Sequence, residues 1–122
     1  MKRFGSALGV DQGSLVLFTD FADGGVMWTG SGQREVRHIQ SFVDGFVEPP
    51  VVTIGLSMWD MASQSNSRVD IAAENVTATE FEIVFRTWGD TRVARVRATW
   101  LAIGASRGDD VSDVPQASDQ ER

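Results

Sequence analysis

The stretch Arg92-Val-Ala-Arg95-Val-Arg-Ala-Thr-Trp100-Leu-Ala-Ile-Gly104 puts Val96, Ala98, Trp100 and Ala102 at every second position. Between them stand Arg95, Arg97 and Thr99, then Leu101 and Ile103. A period of two, not 3.6, is the mark of a strand with one buried side, because successive side chains of an extended chain point to opposite faces. The same period recurs upstream. Val52, Ile54, Leu56 and Met58 share one face, and Phe81, Ile83 and Phe85 alternate with Glu82, Val84 and Arg86. Val69, Ile71 and Ala73 form a shorter run, and Leu15 to Phe18 another. In the segment from Arg34 to Phe42, Val36, Ile39 and Phe42 do not keep the period, which predicts a bulge there.

Turn-forming residues punctuate these runs: Asp23-Gly24-Gly25, Gly30-Ser31-Gly32, Asp44-Gly45, Pro49-Pro50, Gln64-Ser65-Asn66-Ser67 and Gly89-Asp90. No segment carries a helical period of normal length. Six or so short strands with such turns predict an all-β antiparallel sandwich or barrel. After Gly104 the composition turns polar and acidic, with Pro115 and no apolar period. Residues 1–104 therefore read as the sandwich and 105–122 as an acidic flexible tail.

With 122 residues the chain is of one-domain size. It holds no cysteine, which excludes disulfides and thiolate metal sites, and His38 is its single histidine. No metal or other cofactor is expected, and nothing in the sequence supports a structural calcium ion. The net charge of -6, with Lys2 the only lysine, argues against a nucleic-acid backbone as partner. No run approaches the roughly 20 apolar residues of a membrane span, so no membrane insertion is expected. Met1-Lys2-Arg3 resembles the start of a signal peptide, but Gly9, Asp11, Gln12 and Gly13 interrupt the apolar run that should follow. The expectation is cytoplasmic synthesis, with release or incorporation into a particle.

A more specific pattern lies between Pro49 and Gly104. It runs Pro-Pro-Val-Val, Ser57-Met58-Trp59-Asp60, Ser67-Arg68-Val69, Glu74-Asn75-Val76-Thr77 and Phe81-Glu82-Ile83. It continues with Thr87-Trp88-Gly89-Asp90-Thr91 and Ala98-Thr99-Trp100-Leu101-Ala102. In order and spacing this set resembles the H-type lectin family, which includes snail agglutinins and the C-terminal domain of discoidins. Phe42, Phe46 and the double proline fit as well, and the glycine-rich stretch from Phe18 to Glu35 is similar to bacterial members.

The resemblance implies a six-stranded antiparallel β-sandwich, and a non-catalytic domain that binds galactose or N-acetylgalactosamine on cell-surface glycans. It also implies self-association as a homotrimer, sometimes doubled to a hexamer. Carried over by position, the sugar contacts fall on Arg68, Trp88 and Gly89, with Gly30 and Ser31 from the early loop. Snail members have histidine where Gly89 stands and an aspartate where Ser31 stands. Asp90 is the carboxylate that could take the aspartate's place.

The residue types suit the task. Arginine offers a fixed fork of donors to neighbouring hydroxyls, and an aromatic face covers the C–H patch of a pyranose. Asp90 accepts, and Gly89 allows close approach to the backbone. Other assignments remain open at this stage. Trp88 could pack rather than bind, and Arg68 could pair with Asp70 or Glu82 across a sheet. Trp59-Asp60 reads as structural, with Asp60 accepting backbone or turn hydrogen bonds, and Trp100 as core. Trp28 is either a ligand wall or an interface anchor. His38 is expected on an exposed strand position. Arg92, Arg95 and Arg97 form a stripe that is either solvated beside acids of the next strand or a subunit contact.

An enzyme is not expected. The pair Asp109-Asp110 lies in the tail, where a glycosidase's fixed carboxylate geometry cannot be held, and His38 has no triad around it. The alternative to a lectin is a trimeric structural or adhesive subunit of a phage-like particle.

Overall fold

A computed structural model describes residues 1–5 and 7–107 of the chain. It is an antiparallel sandwich of two three-stranded sheets. Strands β1 (Leu8–Thr19), β6 (Val93–Ala105) and β3 (Val51–Met61) form one sheet, in the order β1-β6-β3. Strands β2 (Arg34–Ser41), β5 (Glu80–Thr87) and β4 (Val69–Glu74) form the other, in the order β2-β5-β4. The two most regular alternating runs, β5 and β6, are thus the central strands. Two one-turn helices, α1 (Asp20–Asp23) and α2 (Val26–Thr29), join β1 to β2. Among the described residues no helix is long and apolar enough to cross a membrane.

The core forms where the alternation of β5 meets that of β6. Phe81, Ile83 and Phe85 are fully buried against Val96, Ala98, Trp100 and Ala102. Phe42 and Phe46, from the chain between β2 and β3, complete an aromatic cluster around Trp100. A second cluster of Met27, Phe85, Val93 and Val96 closes the end of the sandwich that carries the helices.

Strand β1 begins at Leu8, well before the apolar run that predicted it. Gly9 and Gly13 look like breaks in sequence, yet they take inward positions. A Cβ on Gly13 would lie 3.0 Å from the Trp100 indole, so the missing side chain makes room for the ring. The bulge expected between Arg34 and Phe42 is absent. The β2–β5 register runs unbroken from Arg34 opposite Thr87 to Ser41 opposite Glu80. Ile39 simply faces outward, 59% exposed, and Phe42 turns inward after the strand has ended. Register shifts fall instead at Val16/Phe18 in β1 and at Leu56/Met58 and Asp60/Met61 in β3. At the C-terminal end, Ala105 still belongs to β6 and the Ser106 N–H donates to the Ala7 carbonyl. The ordered ladder therefore runs past the expected boundary at 104, and the rest of the acidic tail lies outside the described residues.

The outer face of the β2-β5-β4 sheet is a lattice of ion pairs. Arg37 reaches Glu35 and Glu82 at 2.6 Å each and Glu74 at 3.2 Å. Arg86 reaches Glu35 and Glu74 at 2.9 Å each. Val84, on this outward side with Arg37 and Ala72 as cross-strand partners, is fully buried beneath the lattice. Hydrogen bonding from Arg37, ahead of its charge, lowers the Glu35 pKa, and that from Arg86 lowers Glu74. Carboxyls with depressed pKa values stabilise the fold above their unfolded values and lose that contribution as pH falls through the folded ones. Thermal stability should therefore hold level from pH 8 to about 5 and drop below about pH 4, where such carboxylates protonate. Circular-dichroism melts across that range check this, and a level profile down to pH 3 would contradict it. For the core, Trp100→Ala should cost about 3–5 kcal/mol in urea denaturation, and Trp59→Ala, at a position 59% exposed, under about 0.5 kcal/mol.

Candidate functional site

Residues 88–92 connect the central strand of one sheet to the central strand of the other. Trp88 opens this crossover and is 41% exposed. In the register Thr87 stands between Arg34 and Val69, so one position further Trp88 lies between Gln33 and Arg68. Gly89 adopts φ +71°, the left-handed region in which a Cβ is strained. That turn swings Asp90 back towards β4. Its carboxylate accepts from the Asn66 amide at 3.1 Å and lies 3.3 Å from Arg68 Nη1. Hydrogen bonding from the Asn66 side chain holds the Asp90 carboxyl below the usual range, helped by backbone N–H groups and by the Arg68 charge.

Two buried threonines fix the backbone that carries Arg68. The Arg68 N–H donates to Thr91 Oγ1 at 3.0 Å, and Thr91 Oγ1 donates to the Asn66 carbonyl at 2.6 Å. The Thr87 hydroxyl donates to the Arg68 carbonyl at 2.6 Å. Hydroxyls serve because each both donates and accepts.

A second loop is drawn to the same turn by Arg34, which is 7% exposed. Its guanidinium donates to the carbonyls of Gly32 (2.9 Å), Met27 (3.2 Å) and Gly89 (3.2 Å). The Gly32 N–H also donates to the Gly89 carbonyl, at 2.9 Å. Gly30 and the exposed Ser31 are thereby held beside Gly89. Beyond them Trp28 packs edge-on against Phe21, with the Arg92 guanidinium 4.3 Å over its ring. Between Trp88 and the outer face of the sheet lies an open cleft of about 700 Å³, lined by Gln33, Glu35, Asp70 and Arg86 among others.

Arg68, Trp88, Gly89, Asp90, Gly30 and Ser31 thus come together around one turn. Several neighbouring expectations need correcting. Arg68 pairs with Asp90, not with Asp70 or Glu82, because Arg86 and Arg37 stand nearer to those two. Asp60 accepts from Arg95 at 3.4 Å across the β3–β6 ladder and not from a turn. Arg92 precedes β6 and stacks on Trp28, so the basic stripe is reduced to Arg95 and Arg97. His38 lies in a strand but is half-buried. Arg34, Asn66, Thr87 and Thr91 were not singled out in the sequence. Among the described residues no group of three His, Cys, Asp or Glu side chains is arranged to hold a metal ion.

A family model described as the H-type lectin domain matches residues 38–103, more than half of the chain, from within β2 to within β6. The chain belongs to the H-type lectin domain family. It is accordingly a non-catalytic, carbohydrate-binding lectin domain. The matched span contains Arg68, Trp88, Gly89 and Asp90, whereas Gly30 and Ser31 precede it. A protein of Fuscovulum blasticum described as "ATP synthase subunits region ORF 7" is 61% identical over 110 residues, covering 90% of this chain and 96% of that one. A discoidin-1 polypeptide of Dictyostelium discoideum is 33% identical over 75 residues, 61% of this chain and 30% of the discoidin. The structure of discoidin II of Dictyostelium discoideum superposes with a TM-score of 0.70 at 24% identity, over 81% of this chain and 38% of that one. This likeness concerns the fold, and the chain spans well under half the length of either discoidin.

The threonine clamp makes a direct prediction. Thr91→Val leaves the Arg68 N–H and the Asn66 carbonyl without partners, and should lower stability by about 1–3 kcal/mol. Thr91→Ser, which keeps the hydroxyl, should recover most of the loss. Equal stability of the valine and serine variants in urea denaturation would show that the clamp contributes nothing.

Proposed function

We propose that this lectin domain binds galactose- or N-acetylgalactosamine-type glycan ends at the turn that carries Trp88. The observation that supports it most is a large aromatic side chain left 41% exposed beside the paired Arg68 guanidinium and Asp90 carboxylate, on a turn anchored at both ends. Burial of a sugar's C–H face on Trp88 is favourable by roughly 25 cal/mol per Å² of apolar area. Arg68 spends one N–H on Asp90, at 3.3 Å, so its remaining donors are available to hydroxyls. Asp90 accepts from hydroxyls in turn. Gly89 keeps the approach to the backbone open, and Gly30 and Ser31 form the rim. A single small sugar gains little beyond the several kcal/mol that association costs, so each site is weak.

Repetition of the site strengthens binding to a surface dense in glycans, and the fold offers a surface for self-association. Among the described residues no other element covers the outer face of the β1-β6-β3 sheet. Leu8, Val10, Val16 and Val51 are each 45% exposed or more on its outward positions, with uncharged Gln12, Ser14, Thr53 and Thr99 between them. Burying this face around a three-fold axis gives a closed homotrimer, and two trimers back to back give a hexamer. The same face serves a trimeric adhesive subunit of a particle, and a glycan array separates the two roles.

Two measurements test the proposal. Calorimetric titration with a glycan first identified on an array should show binding lost in Arg68→Ala and Trp88→Ala, each by about 1–3 kcal/mol, with circular dichroism unchanged. Variants that bind as tightly as the parent would move the site elsewhere. Sedimentation should give three or six copies of the 13.3 kDa chain, and Val10→Asp with Val51→Asp should yield monomers. A monomeric parent at micromolar concentration would rule the trimer out.

A further inference from the structure

We infer that the lectin site extends from Trp88 onto the outer face of the β2-β5-β4 sheet as a second subsite, and that this subsite takes a neutral sugar residue linked to the one on Trp88. This rests on the assignment of the first sugar to Trp88. On that face the outward residues form rows across the strands. Gln33, Trp88 and Arg68 make one row, by continuation of the register, and Glu35, Arg86 and Asp70 make the next. Successive outward positions on a strand are about 6.8 Å apart, a distance that a pyranose linked to the first can span. The cleft of about 700 Å³ runs from Gln33 and Trp88 of the first row, without reaching Arg68, to Glu35, Asp70 and Arg86 of the second. It falls within the roughly 300–1,000 Å³ usual for ligand sites. Beyond the second row the Arg37 lattice closes over Val84 and the cleft stops. Two rows therefore accommodate two sugars.

The floor has unused hydrogen-bonding capacity facing the cleft. Among the described residues the Asp70 side chain makes no hydrogen bond, and its one ion pair, to Arg86 Nη1, is stretched to 3.9 Å. Arg86 Nη1 has no other partner there, since Nε and Nη2 serve Glu35 and Glu74. The exposed amide of Gln33 is free of intramolecular bonds among these residues as well. A carboxylate acceptor, a guanidinium donor and an amide that does both match the alternating demands of neighbouring sugar hydroxyls. Charge narrows the class. Among the described residues Glu35, Asp70, Glu74 and Glu82 pair only with Arg37 and Arg86, Arg68 on the same face is paired with Asp90, and the whole chain carries -6. That excess repels a uronate or sialate carboxylate, whereas a neutral hexose or N-acetylhexosamine is unaffected.

The test is calorimetric titration of the full chain with galactose and N-acetylgalactosamine. The same sugars are then linked, α or β, to a neutral hexose, an N-acetylhexosamine or a hexuronate. At least one neutral disaccharide should bind five- to tenfold tighter than its monosaccharide, and no hexuronate-bearing one should. Asp70→Ala should erase the gain while leaving the monosaccharide Kd within twofold, and Asp70→Lys should shift the preference towards the hexuronate. Monosaccharide binding with no gain from any second residue overturns the subsite alone. A gain confined to hexuronates overturns its neutral class. Absence of binding by every sugar in the panel overturns the Trp88 assignment and the subsite with it.

Discussion

Everything in this domain hangs on the contact between Trp100 and Phe81. These rings sit on the central strands of the two sheets, 5.3 Å apart and nearly edge to face. Phe42 adds a third ring, 5.5 Å from Phe81 and 6.0 Å from Trp100. Aromatic side chains bury the largest areas and prefer such tilted arrangements. A chain with no cysteine has to fix the angle between its sheets by packing alone, and this cluster does so at the middle of the sandwich. Glycine at position 13 follows from it, since the indole occupies the space a side chain would need.

The candidate site inherits its rigidity from the same two strands. Its turn is the covalent link between them, so neither end of the turn is free to move without disturbing the core. Thr87 and Thr91 then hold Asn66 and Arg68, just ahead of β4, and Arg34 holds the early loop. Arg34 makes bonds only to carbonyl oxygens, using three of its five N–H groups. A lysine there, with a compact ammonium on a flexible stem, could not reproduce this fork. The arrangement follows a general rule for binding sites: groups meant to meet a ligand need supports that are themselves locked.

Most of the fold was legible because it is written as alternation. β5 and β6 kept a strict period, and their inward residues are the buried ones. The family motif, an ordered set of short elements, was legible for the same reason, and it brought Arg68, Trp88 and Gly89 to one place. Errors arose where a single residue carries two meanings. Glycines 9 and 13 read as interruptions, but a glycine at an inward strand position can equally be a seat for a neighbour's ring. Ile39 read as core and required a bulge, yet it is an outward apolar residue on an edge strand. The partner of Arg68 was not legible at all, since Asp70, Glu82 and Asp90 are chemically alike and only the Gly89 turn selects among them. Arg34 left no trace either, because its partners are backbone carbonyls, which every sequence supplies. The Gln33, Asp70 and Arg86 cleft depends on register between three strands, and one strand's pattern does not encode it.

The two sheets differ in what they show outward: one a web of opposite charges, the other valines and hydroxyls with Arg95 and Arg97 on its central strand. The crossover at residues 88–92 joins their middles, with a hydrogen-bonded strand on either side of each. A pull applied at Trp88 therefore enters β5 and β6 along their axes. To yield, each strand would have to slide past both neighbours at once, breaking its rungs together rather than one after another. The position of a single turn in the topology makes this small domain mechanically stiff at Trp88.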